Sequence, residues 1–197
     1  MSNKITICNL ALSLIGQEPI TSIDDPQTNI EQICALQYPL MRDAVLSEAE
    51  WSFAVVRYHW TTPDPVPPVW GFSYRHLIPN EVLRVTYCSD NTSEQTYNVD
   101  FKWVVEGNYI LSDSNSIYVR GVSYVNTESD FSSLFVQALS ARLAMELSVL
   151  ITDNQQLHAS MTNLYLAKMQ GAVTMDSMQG KSRKIRTGLV RGSRGGN

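Results

Sequence analysis

Phe131-Ser132-Ser133-Leu134-Phe135-Val136-Gln137-Ala138-Leu139-Ser140-Ala141-Arg142-Leu143-Ala144-Met145-Glu146-Leu147-Ser148-Val149-Leu150 sets its apolar residues at intervals of three and four. Val136, Leu139, Leu143, Leu147 and Leu150 form one row, and Phe131, Leu134, Ala138, Ala141 and Met145 a second beside it. A helix that meets a single neighbour shows one stripe. Two adjacent rows predict burial on more than one side, inside a bundle or against another subunit. Downstream, Thr152-Asp153-Asn154-Gln155 has the spacing of a capping box, so a last helix is expected from about residue 153. Its inward face is Leu157, Met161, Leu164, Tyr165 and Ala172.

Upstream, Ile5, Cys8, Ala11, Leu12 and Ile15 share one face of a first helix that Gly16 can end. Asp25-Pro26 reads as a cap followed by proline at the first helical position, opening a second helix. Ile30, Ile33, Cys34, Leu40, Met41 and Ala44 keep its period. Pro39 removes an amide donor midway, which predicts a kink or break near Tyr38. Cys8 and Cys34 read as core fillers. Between Trp60 and Trp70 stand four prolines, favouring an extended arm. Short strand-like runs follow at 82–87, 97–105, 109–111 and 117–125, separated by Ser-, Asp-, Asn- and Gly-rich turns.

These readings compose an α+β fold: a helical bundle body built from N- and C-terminal helices, with an inserted small antiparallel β subdomain and an extended C-terminal tail. The expected boundaries are 1–59 for the N-terminal helices, 60–80 for the proline-rich arm, 81–127 for the β subdomain, 128–178 for the C-terminal helices and 179–197 for a flexible basic tail.

The chain has 197 residues, 44% of them hydrophobic, enough for a core without staples and too apolar for a disordered polymer. Three cysteines with no C-x-x-C pair exclude a closed disulfide framework and a zinc ribbon, and fit a reducing compartment. The first apolar run carries Asn9 and Ser13 and reads as mature protein. No stretch is expected to be long and apolar enough to cross a membrane.

Charge is segregated. Lys181, Arg183, Lys184, Arg186, Arg191 and Arg194 occupy the last seventeen residues without one acid. Subtracting these six from fifteen bases leaves nine against nineteen acids, so residues 1–180 carry a net charge of -10. The tail is predicted to stay unfolded on its own, either as a solvated terminus with no partner or until it meets nucleic acid or an acidic protein groove.

Catalytic spacing is missing. The sequence has no phosphate-binding loop, dinucleotide fingerprint, nucleophile elbow or H-E-x-x-H. His59, His76 and His158 share no metal-ligand spacing, and the close acid pairs, Asp24 with Asp25 and Glu48 with Glu50, are explained by a cap and a turn. No enzyme activity and no cofactor are expected. Aromatic residues crowd the middle of the chain. Trp51 and Trp103 suit a core, whereas Trp60 and Trp70 flank the prolines with little to cover them and are candidate inter-subunit contacts, together with Phe131 and Phe135.

Several segments carry a resemblance. Ile7-Cys8-Asn9-Leu10-Ala11-Leu12-Ser13-Leu14-Ile15-Gly16, Pro19-Ile20-Thr21-Ser22-Ile23, Tyr38-Pro39-Leu40-Met41-Arg42-Asp43 and Trp51-Ser52-Phe53-Ala54 resemble the opening of the phage tail tubular protein A family. Phe72 to Val85 is similar to the segment leading into that family's β region, and Phe135 to Ala144 to its penultimate helix. The likeness follows the family's order over nearly the whole chain. The family comprises head-to-tail adaptors of short-tailed phages. The resemblance implies a virion protein of the neck, assembled in the host cytoplasm: a homo-oligomeric ring, usually of twelve copies, between portal protein and tail nozzle protein. Genomic DNA passes through its channel without sequence-specific binding, and no membrane is involved. It also implies that the C-terminal extension reaches the portal. The portal-binding residues expected in that tail are Lys181, Arg183, Lys184, Arg186, Leu189, Val190, Arg191 and Arg194, the first four pairing with acidic portal groups while Leu189 and Val190 fill an apolar notch. Two other classes stay open at this stage. One is a nucleic-acid-binding module using the same tail, and the other a tail-associated cell-wall or polysaccharide hydrolase with a raised-pKa carboxylate.

Overall fold

The computed structural model describes residues 3–92 and 101–179; the expectations placed on the basic tail from residue 180 onward, and on 97–100 of the run expected at 97–105, lie outside them. Four α-helices, α1 (Lys4–Leu14), α2 (Asn29–Glu48), α3 (Ser133–Thr152) and α4 (Gln155–Gln179), enclose the larger core. Six strands lie between α2 and α3 in the chain: β1 (Val55–Trp60), β2 (Tyr74–Leu77), β3 (Val82–Ser89), β4 (Trp103–Glu106), β5 (Tyr109–Ser112) and β6 (Ile117–Ser123). The architecture is α+β.

α3 is the axis of the helical body. It packs against α1, α2 and α4, which accounts for both of its apolar rows within one protomer. The breadth of that stripe therefore needs no second subunit. By length and mean hydropathy, 1.6 over its apolar window, α3 does reach what a membrane span requires, contrary to the sequence expectation. Most of that window is covered by the other helices.

Helix ends correct two boundaries. α2 is capped by Thr28, three residues after Asp25, through a capping box: Thr28 Oγ1 accepts from Glu31 N at 3.3 Å while Glu31 Oε2 accepts from Thr28 N at 3.0 Å. The helix then runs unbroken through Pro39, so no break occurs at Tyr38. α3 extends through Thr152 and ends on Asp153 in the left-handed region, φ 48°, and Asn154 Oδ1 caps α4 by accepting from Leu157 N at 3.0 Å. Thr152 thus belongs to the preceding helix.

The β region holds two antiparallel sheets where one was expected, ordered β1-β6-β3 and β2-β5-β4. Residues 55–59 were expected among the N-terminal helices and 74–77 within the arm. Instead β1 pairs with β6, Val55 opposite Val122, and β2 with β5, Tyr74 opposite Ser112. Between the sheets lies a second core of Ile78, Cys88, Ile110, Ile117 and Val119, with Trp60 and Trp103 against it. β6 joins the two cores: Ile117 and Val119 enter the inter-sheet core, and Val122 enters the helical one. Near this junction the Arg42 guanidinium lies 4.1 Å from the Tyr124 ring centroid.

Candidate interaction surface

The arm between β1 and β2 is anchored at its base and bare at its tip. Asp64 N donates to Arg75 O at 2.8 Å, and Asp64 Oδ1 accepts from Arg75 Nε at 3.1 Å and Nη2 at 2.9 Å. The same carboxylate accepts from Val66 N at 2.9 Å. That backbone donor and the guanidinium hold the Asp64 carboxyl below the usual carboxylate range. Arg75 also stacks over Tyr109, 4.4 Å from the ring centroid, tying the anchor to β5. On the far side Asp113 Oδ1 accepts from both Ser73 N and Ser73 Oγ at 3.0 Å.

Pro65, Pro67 and Pro68 leave the segment between these anchors few backbone donors with which to join a sheet. It turns at Gly71, φ 90°, a conformation that glycine adopts without strain. The tip therefore has nowhere to bury its side chains. Val69 is 99% exposed and Trp70 86% exposed. A groove of about 310 Å³ runs beneath them, bounded by Pro68, Phe72, Arg75, Glu106, Tyr109 and Leu111. Indole presented on a clamped loop above a groove of mixed polarity, with Arg75 and Glu106 in its wall, is the chemistry of an interface anchor.

The other three candidate contacts sit elsewhere. Phe131 and Phe135 are buried in the protomer's own aromatic cluster, their centroids 4.7 Å apart, with Trp51 edge-on to Phe135 at 4.9 Å. Both side chains are already covered within the protomer. Trp60 is half-buried on the inter-sheet core beside Tyr58, at 5.7 Å. Of the four, Trp70 alone is presented. Val69 was missed. Its signal was available, an apolar side chain among prolines with no periodic partner.

The three histidines, and Asp24, Glu48 and Glu50 of the close acid pairs, all make contacts within the fold. His76 is buried with Nε2 donating to Ser114 O at 3.1 Å, His158 Nδ1 lies 2.9 Å from Met145 O, and His59 stacks on Tyr118 at 4.1 Å. Asp24 pairs with Lys4, Glu48 Oε2 accepts from Tyr165 Oη at 2.6 Å, and Glu50 pairs with Arg120. Among the described residues, no group of three or more His, Cys, Asp or Glu is placed to hold a metal. Cys8, Cys34 and Cys88 are free and buried, and burial pushes the Cys88 thiol up to about 12.

A scan of the sequence against protein-family models finds no match, and a search of curated proteins finds no significant one.

Proposed function

We propose that this chain is the repeating subunit of a head-to-tail adaptor in a short-tailed phage, forming a ring between portal and tail nozzle through which the genome passes. The observation that carries the reading is the separation of charge. Residues 1–180 carry -10 and residues 181–197 carry +6. A channel walled by acidic bodies repels phosphates, so DNA slides through without adhering. The cationic end serves a different surface, an acidic one on the portal. Lys181, Arg183, Lys184 and Arg186 form charge-assisted bonds there while Leu189 and Val190 fill an apolar notch. About 17 residues at ~3.3 Å each span roughly 55 Å, enough to cross a neighbouring subunit. The sequence resemblance points the same way, and the bare arm supplies a second attachment through Val69 and Trp70.

The test is attachment to assembled portal rings, measured by co-sedimentation, for the full chain and for a chain ending at Gly180. The full chain is expected to co-sediment, and the shortened one to remain folded and free. A shortened chain that still joins the rings overturns the role given to the tail. Tight, salt-sensitive binding of duplex DNA by the isolated full chain would instead favour a nucleic-acid-binding module.

A further inference from the structure

The groove under the arm holds one charge without a partner. Ile110 enters the inter-sheet core, so its neighbours Tyr109 and Leu111 face the other way, toward the arm. Leu77, Tyr109 and Glu106 stand opposite one another across β2, β5 and β4. Leu77 is 55% exposed, Glu106 is exposed, and among the described residues no cation pairs with Glu106. Arg75, the other charge in the wall, is already neutralised by Asp64. Several other acids of the body also face cations: Asp24 faces Lys4, Asp43 Arg42, Glu50 Arg120 and Glu146 Arg142. The groove thus combines a bare carboxylate with bare aromatic and apolar surface. Arg75 shows what suits such a wall, a guanidinium bonded to a carboxylate while lying over an aromatic ring.

The chain carries its own supply of that chemistry. Residues 181–197 hold six bases, no acid, and the run Arg186-Thr187-Gly188-Leu189-Val190-Arg191. They start where the groove can be reached. Near the end of α4, Asp176 Oδ2 accepts from Ser52 N and Oδ1 from Ser52 Oγ, both at 2.8 Å, so the helix ends beside the chain entering β1. Twelve residues lead from Ser52 to Asp64, which grips the groove wall, and twelve lead from Gln179 to Arg191. Each stretch spans no more than about 43 Å, so the tail is as long as the path it has to cover. A tether also holds its end at roughly millimolar concentration near the body, above that of a free partner, and -10 attracts +6.

We infer that in the unassembled protein residues 186–191 occupy this groove, with Arg191 on Glu106 beneath the Trp70 indole and Leu189 and Val190 against Leu77 and Tyr109. The inference deepens the adaptor reading and rests on it for the step that removes the tail. Leu189 and Val190 cannot fill the groove and a portal notch at once. Portal docking therefore strips the groove and bares Trp70, which keeps the arm's attachment from acting before the tail's.

Trp70 reports the groove, because Trp51 is buried and Trp60 and Trp103 lie against the inter-sheet core. Its acrylamide quenching, taken as the difference between a chain and its Trp70→Phe variant, is compared for the full chain and the chain ending at Gly180 at about 50 mM salt. The full chain is expected to be shielded and the shortened one open. Glu106→Gln should abolish the shielding, as should about 500 mM salt. Glu18→Gln makes the same charge change at another exposed acid and should leave the shielding intact. Equal quenching of the two chains, shielding that survives Glu106→Gln, or equal loss in Glu18→Gln would each overturn the inference. So would shielding lost on dilution at fixed salt, because a neighbouring copy's tail would then be the occupant. A freed tail meets the portal without competition, so Glu106→Gln should bind portal rings about two- to tenfold more tightly than wild type, and unchanged binding would overturn the latch. Quenching is read without portal, so an empty groove and a failure of the adaptor reading, in which no chain binds the rings, are distinguishable.

Discussion

At the scale of single residues, Glu31 organises the connection between the first two helices. Its Oε1 accepts from Thr21 N, Thr21 Oγ1 and Ser22 N, each at 3.2 Å, and its Oε2 accepts from Gln27 N at 2.8 Å and Thr28 N at 3.0 Å. Asn9 completes the clamp, donating to Ile20 O at 3.0 Å and accepting from Ile20 N at 2.8 Å. The Gln27 and Thr28 amides lead the donors that hold the Glu31 carboxyl down to about 2, against 4.5 in the unfolded chain. A group whose folded pKa is depressed stabilises fully above its unfolded value, and that contribution drains away as pH falls toward the folded one. In Glu31→Gln an NH₂ donor must face backbone donors. The variant is expected to melt several degrees lower at pH 7, and the gap to wild type should close between pH 4.5 and about 2, measured by thermal scans across that range. Aromatic residues divide by the same logic of what surrounds them. Phe135→Ala empties a filled core site and should cost about 3–5 kcal/mol in urea unfolding. Trp70→Ser removes a ring from solvent and should change stability by less than about 0.5 kcal/mol while weakening assembly.

At the scale of elements, what could be read early was local. Periodicity in α1 and α3, the runs that became β3, β5 and β6, and the apolar breadth of α3 were visible because each depends on neighbours along the chain. Thr28 with Glu31 was equally local, an S/T-x-x-E signature that Asp25-Pro26 overshadowed. β1 and β2 were not legible. Val55–Trp60 becomes a strand because distant β6 pairs with it, and four-residue β2 directly follows a proline-rich stretch that argues for an open coil. What covers α3 was illegible for the same reason, since width of a stripe does not say whose side chains fill it. The exposed tip was half legible: tryptophans beside prolines marked the arm, but the fates of Trp60 and Trp70 depend on which sheet lies beneath them. Tertiary closeness also explains Gly121 in β6. A Cβ there would stand 2.7 Å from Arg84 O and 3.2 Å from Val82 Cγ1, where β3 shifts register against β6. The oxygen belongs to backbone and does not swing aside. Gly121→Ala should therefore cost about 1–3 kcal/mol in urea unfolding, separating this glycine from Gly171 of α4, where a Cβ meets no atom within 4 Å and the same change should stabilise.

At the scale of the whole molecule, two associations should respond to salt in opposite directions. In the proposed ring, bodies of -10 come together, and their mutual repulsion acts over the Debye length. Between about 50 and about 500 mM salt that length falls from roughly 14 to roughly 4 Å, so the repulsion shrinks while any contact driven by apolar burial is left intact. Self-association of the full chain should strengthen over this range. Docking of the +6 tail on an acidic portal surface gains from the same Coulomb energy that salt removes, so it should weaken. Sedimentation of the full chain alone and co-sedimentation with portal rings, run over one salt series, measure the two slopes together. If both rise, the tail binds through Leu189 and Val190 with its cations idle. If both fall, subunits meet through opposite charges. Slopes of opposite sign are what a protein divided into an acidic body and a cationic end must show if each part has its own partner.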